Sequence, residues 1–193
     1  DPFIDFSQFD ALLIFHPGAG QETDINNDSP EQLWSSMIPF IDLQQTLGND
    51  DPDYQGIATD DGIFIQNAAV LPEWAAQDNP NQSPHLNFNV FGTMCHEFGH
   101  LLGLPDLYDT DAENGRSQGV GNFCLMGSGS WNFNGFCPPF LSAWSMQFLN
   151  WIDNEQMQTM HYNETWQDSL CKIAPMELLN DSLPNYYRLE ISP

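Results

Sequence analysis

Between Cys95 and Asp109 the chain reads CHEFGHLLGLPDLYD, and His96, Glu97 and His100 are the residues in it whose types and spacing could do chemistry. On an α-helix a spacing of four stacks His96 and His100 on one face, with both imidazoles in reach of one ion. Glu97 then projects about 100° round the helix, where it can touch a water on that ion. This HExxH pattern suits zinc, and a catalytic zinc usually has three protein ligands, so one is still to be found. Gly103, three residues after His100, can take positive φ and end the helix, and Pro105 keeps the helix from resuming. Asp106 comes next as the expected third ligand, with Asp109 as its competitor.

The elements that must hold these residues can be read outward from them. At about 100° per residue, Phe91, Met94, Phe98, Leu101 and Leu102 fall opposite the histidines and are expected to bury the helix in the core. Cys95 falls on that side too, which argues against it as a ligand. Gly92, Gly99 and Gly103 form a bare strip, and since glycine costs about 1 kcal/mol against alanine in a helix, a close approach by another backbone segment is expected there. Upstream, Ala11–Phe15 is a continuous apolar run, expected as a fully buried strand ended by the loop His16-Pro17-Gly18-Ala19-Gly20. Ser29, Pro30 and Gln32 have the pattern of a helix start, with Leu33, Trp34, Met37 and Ile38 as its apolar stripe. Gly48–Asp61 is acidic and turn-rich, and Gly62–Leu71 is strand-like. His16 at a strand end and His85 in the polar loop 78–89 are read as structural histidines. Downstream, Pro138-Pro139 is expected to open a helix carrying Phe140, Trp144 and Phe148 on one face.

HEFGHLLGLPD fits HExxHxxGxxD, a variant of the metzincin zinc-protease motif with Asp in place of the last His. With the continuation PDLYD, and with Cys124-Leu125-Met126-Gly127-Ser128-Gly129-Ser130-Trp131 later, the chain resembles the M6 peptidases of the immune inhibitor A type. The resemblance runs from roughly Phe9 to Trp151 and weakens after it. It implies an α+β, metzincin-like zinc-protease domain: a twisted mixed sheet with helices, a zinc helix, and a smaller lower part after Gly103 in which Met126 forms the Met-turn. It also implies a secreted zinc metalloendopeptidase with His96, His100 and Asp106 on Zn2+ and Glu97 as general base, acting on a protein or peptide substrate. An edge strand before the zinc helix pairs with extended substrate in metzincins, and Gly62–Leu71 is the candidate by position, with a plain structural strand as the equal alternative from its residues. Many metzincins also carry a tyrosine near the Met-turn, whereas here Met126 is followed by Gly-Ser-Gly.

The whole-chain properties agree with that class and exclude others. The 193 residues are 41% hydrophobic, ample for a core, and 27 carboxylates face only Arg116, Lys172 and Arg188, giving a net charge of -24. Nucleic acid and anionic membrane surfaces are therefore excluded as partners. No run approaches a membrane span, and Asp1-Pro2 does not open a signal peptide, as expected for a mature or excised segment. The catalytic domain is expected over 1–152, with 153–193 as the start of a β-rich segment. Four cysteines without a CxxC suit a secreted protein, and Cys124 and Cys137, which bracket the Met-turn loop, are expected to be bridged, the alternative being reduced thiols throughout. Asp109 to Gly115 alternates acidic side chains as Ca2+ loops do, but the glycine is one place late for an EF-hand, so a solvated acidic loop is favoured. Two further function classes keep the same residues: a catalytically idle binding or adhesion module, and a zinc amidase acting on a non-peptide substrate.

Overall fold

The computed structural model describes residues 4–24, 27–74, 89–111, 113, 117–152, 157–161 and 186–190. It divides into two compact units, Asp1–Gly103 with Trp131–Cys137, and Leu104–Ser130 with Pro138–Pro193. The architecture is mixed α+β, with a small mixed sheet and few helices.

The first unit is built on three strands, β1 (Leu13–Ala19), β2 (Ser36–Ile38) and β5 (Ala68–Trp74), in the order β1-β5-β2. β1 runs parallel to β5 and β2 antiparallel to it. The buried strand is β5, where Ala68, Ala69 and Leu71 form the core. The apolar run of β1 predicts that role for β1 itself, but Ile14 and Phe15 are exposed, because β1 has a neighbour on one side only among the described residues. Proline is rare in central strands because it cannot donate to the ladder. Pro72 in β5 pairs with His16, next to the register shift between His16 and Ala19, so the missing N–H falls where the ladder is already irregular.

Gly62–Leu71 does not form one edge strand. β4 (Phe64–Ile65) closes a hairpin with β3 (Ile57–Ala58), and the rest enters β5, which is flanked on both sides. The substrate-pairing edge expected there is corrected accordingly, since the backbone groups of a central strand are already paired.

The helix expected from Ser29 is also corrected. Pro30 opens a turn only, β2 occupies 36–38, and the helix α1 (Phe40–Thr46) begins after Pro39. The residue before a proline is disfavoured in the α region, so Ile38 extends and pairs with Ala68 instead. The turn is organised by Asp24, whose carboxylate accepts the N–H groups of Asp28 and Ser29, both at 3.0 Å. Ser35 is held to Glu22 through both its hydroxyl and its N–H. The helix α2 (Val90–Leu101) packs against β5 and β2.

In the second unit, Leu104, Cys124 and Met126 form a buried cluster with Leu107, Leu125, Leu141 and Leu149 around it. Met146 and Ile152 form another beside Leu141 and Ala143. The helix α3 (Ala143–Phe148) starts five residues later than expected. Pro138-Pro139 lies outside any helix, the Phe140 carbonyl accepts the Leu125 N–H at 3.3 Å, and the Ser142 hydroxyl caps α3 by accepting from Ser145 N at 3.1 Å. Trp144 and Phe148 do share a face, with rings stacked at 5.3 Å. Beyond residue 153, β6 (Met157–His161) and β7 (Tyr186–Glu190) pair in parallel. His85 and Cys171 lie outside the described residues.

Candidate metal centre

Helix α2 is fixed at both ends by its own sequence. Asn89 caps it, its side-chain oxygen accepting the Phe91 N–H at 2.8 Å. Segment 131–137 then clasps the same end: the Asn134 carbonyl accepts Asn89 N–H at 2.8 Å and the Gly135 carbonyl accepts Gly92 N–H at 3.0 Å. Two donors that a helix start leaves unpaired are thereby satisfied. At Gly92 this is the close backbone approach expected of the glycine strip. At the other end Gly103 has φ +93° and its N–H donates to the His100 carbonyl at 2.8 Å. The turn expected before Pro105 is present.

The burial of α2 differs from the expectation. Gly92, Thr93, His96, Glu97 and Gly99 are buried, whereas Phe91, Phe98 and Leu102 are exposed. The helix packs on β5 and β2 with small residues and the ligand-bearing His96 among its buried positions. Cys95 is half-buried, and burial pushes its thiol pKa up, away from the thiolate a metal would need.

His96, His100 and Asp106 each offer one ligand atom, and those atoms all lie within 4.8 Å of one another. The two Nε2 atoms are 3.2 Å apart, with rings nearly perpendicular at 89°. Two donors at about 2.0–2.1 Å from a tetrahedral zinc are separated by about 3.3–3.4 Å, so the pair is spaced as one edge of such a site. With two imidazoles and one carboxylate, the donor set fits a metal of this class. Asp109 is outside the group. Glu97, next to His96 in sequence and only 7% exposed, carries the remaining acidic group of the motif.

Asp106 is set by its neighbour, Leu107. The Leu107 N–H donates to the Met126 carbonyl at 2.8 Å, and the Leu107 carbonyl accepts Val120 N–H at 3.0 Å. Met126 is fully buried beneath this backbone, beside Leu104 and Cys124. The acidic loop turns its carboxylates onto its own backbone, Asp109 accepting from Asp111 N and Ser117 N and Asp111 from Glu113 N. The Cys124–Cys137 bridge is corrected: both are free thiols. Cys124 is instead part of the buried cluster, its sulfur accepting Ser142 N–H at 3.2 Å, and Cys137 is exposed.

Sequence reasoning does not single out Asn89, Gly119 or Gly135. The Asn134-Gly135 dipeptide, a turn signal by composition, is the available sign of the clasp.

Residues 7–156 match the family model described as immune inhibitor A peptidase M6, catalytic domain. The pre-pro-metalloprotease PrtV of Vibrio cholerae serotype O1 is 30% identical over 159 residues, which are 77% of this chain and 15% of that protein. Immune inhibitor A of Bacillus thuringiensis subsp. alesti is 28% identical over 146 residues, 72% of this chain and 18% of that protein. The chain thus matches less than a fifth of the length of either relative.

Proposed function

Because this chain belongs to the immune inhibitor A (M6) peptidase family, we propose that it is a zinc-dependent metalloendopeptidase hydrolysing peptide bonds in protein or peptide substrates. The observation that carries this reading is the convergence of His96, His100 and Asp106 within 4.8 Å, with Glu97 on the same helix as the histidines. In this reading His96 and His100 bind zinc through Nε2 and Asp106 through a carboxylate oxygen. Zinc, when bound, acidifies a water and polarises a carbonyl oxygen. The Glu97 carboxylate takes the proton of the attacking water and then delivers it to the nitrogen of the leaving amine. The backbone clasp on Asn89 and Gly92 keeps the histidine pair and Glu97 in register, and Met126 serves as the metzincin Met-turn.

The catalytic domain is assigned to 1–152, with 153–193 opening a β-rich segment. An extracellular location belongs to the same proposal, supported by the pre-pro form in the name of the Vibrio relative and by 27 carboxylates against three cations. No described helix is long and apolar enough to cross a membrane.

Glu97→Ala tests the reading. Its zinc stoichiometry should equal that of wild type, because three ligands remain, while hydrolysis of an unstructured protein such as casein should fall by about 10²–10⁴-fold. Wild-type activity in the variant would remove Glu97 from the mechanism. A zinc-loaded wild type inactive on every peptide would favour a binding module, and one that cleaves only non-peptide amides would favour an amidase.

A further inference from the structure

We propose that Gly119 is a positioning residue for the metal, acting through Asp106 by holding the adjoining Leu107 peptide against the loop 117–126. The inference rests on the reading of Asp106 as a ligand. Leu107 has both backbone polar groups engaged by this loop, its N–H by the Met126 carbonyl at 2.8 Å and its carbonyl by Val120 N–H at 3.0 Å. The second bond requires the 119–120 backbone to lie directly on Leu107. A Cβ at position 119 would overlap the Leu107 carbonyl oxygen and come within 2.8 Å of the Tyr108 Cα, and Gly119 has φ +53°. The loop has little room to give. Asp109 N–H donates to the Ser117 carbonyl at 3.2 Å, Gly119 N–H to Ser117 Oγ at 3.1 Å, and Ser128 Oγ to Gln118 Oε1 at 3.1 Å. A side chain at 119 must therefore displace the Leu107 carbonyl, and with it the backbone from which the Asp106 carboxylate projects.

The same geometry assigns Met126 a second part. Its carbonyl, and not its thioether, anchors Leu107, so side-chain replacements that keep the backbone in place leave that anchor intact.

The test is zinc affinity, measured by chelator competition on the full chain for wild type, Gly119→Ala, Asp106→Ala and the double variant. Supporting groups around metal ligands are typically worth 10–100-fold in affinity, and Gly119→Ala should lose about that much. Asp106→Ala should lose more, and the double variant should bind no more weakly than Asp106→Ala, within about twofold, because a residue acting through Asp106 has nothing left to position. Wild-type affinity in Gly119→Ala overturns the proposal, as does a double variant that loses the product of the two single losses. Wild-type affinity in Asp106→Ala would instead overturn the ligand assignment, and this inference with it. If Gly119→Ala does not fold, Val120→Pro removes the single N–H given to Leu107 at a residue whose φ of -77° suits proline. Weaker zinc binding is expected there too, and wild-type affinity overturns the proposal.

Discussion

Truncating Met126 to alanine removes a side chain that has no solvent exposure and touches the cluster of Leu104 and Cys124, walled by Leu107, Leu125, Leu141 and Leu149. Large-to-small substitutions at such sites cost about 2–5 kcal/mol, the spread reflecting how far the surroundings collapse into the cavity. Here collapse is resisted by backbone bonds on the walls, Leu107 N–H to the Met126 carbonyl at 2.8 Å and Leu125 N–H to the Phe140 carbonyl at 3.3 Å. The loss should therefore be about 3–4 kcal/mol. Met126→Leu conserves volume and should cost less than about 1.5 kcal/mol. Urea unfolding in excess chelator, which removes the metal contribution from every variant, measures both. A midpoint shift worth under about 1 kcal/mol for Met126→Ala, or equal losses for the two variants, would refute the packing argument. Met126→Leu should also keep zinc affinity within a few-fold of wild type, because the carbonyl contact with Leu107 does not involve the thioether.

Gly135→Ala should destabilise the first unit by about 2–4 kcal/mol in urea unfolding, because a Cβ there collides with the Asn89 carbonyl and Gly135 has φ +82°. Asp24 should contribute an acid-sensitive part of the stability. Its burial alone would raise its pKa, but the N–H groups of Ser29 and Asp28 outweigh that and hold it below the ordinary value of 3.8. The folded state thus binds this proton more weakly than the unfolded chain does, so the contribution is complete above the ordinary value and is lost as the pH falls through the folded one. Thermal midpoints between about pH 6 and pH 3 should fall less steeply for Asp24→Asn than for wild type, and parallel curves would remove Asp24 from the acid response.

The features legible in the sequence are local ones. Histidines four apart on a helix, a glycine that ends it and an aspartate three residues later are set by bond geometry and helix period, and the structure brings those three side chains together. Tertiary choices are not local. The apolar run 11–15 has the composition of a buried strand, yet which strand is central depends on pairing partners far along the chain, and Ala68–Trp74 takes that place. The Ser29 start signal is outvoted by Pro39, which favours an extended Ile38, and by pairing with β5. The buried side of α2 escapes a reading that weighs hydrophobicity alone: Gly92, Thr93, His96, Glu97 and Gly99 are buried, whereas Phe91 and Phe98 are exposed. The cysteine count is compatible with a bridge, but the sulfur of Cys124 is enclosed in the leucine cluster and hydrogen-bonded to Ser142.

The clasp of 131–137 on α2 bears on the order in which the chain is made. Asn89 and Asn134 meet across about 45 residues, so the helix that carries the histidines emerges from the ribosome well before the strip of backbone that finishes its first turn. Until residue 135 has been synthesised, the amides of Asn89 and Gly92 lack those partners. Residues 104–130 are in this sense an insertion within a unit that closes behind them. A released chain ending between residues 110 and 130 would hold the whole HExxH motif with its helix start still unlatched, and protease protection of α2 should rise only in chains that extend past Gly135.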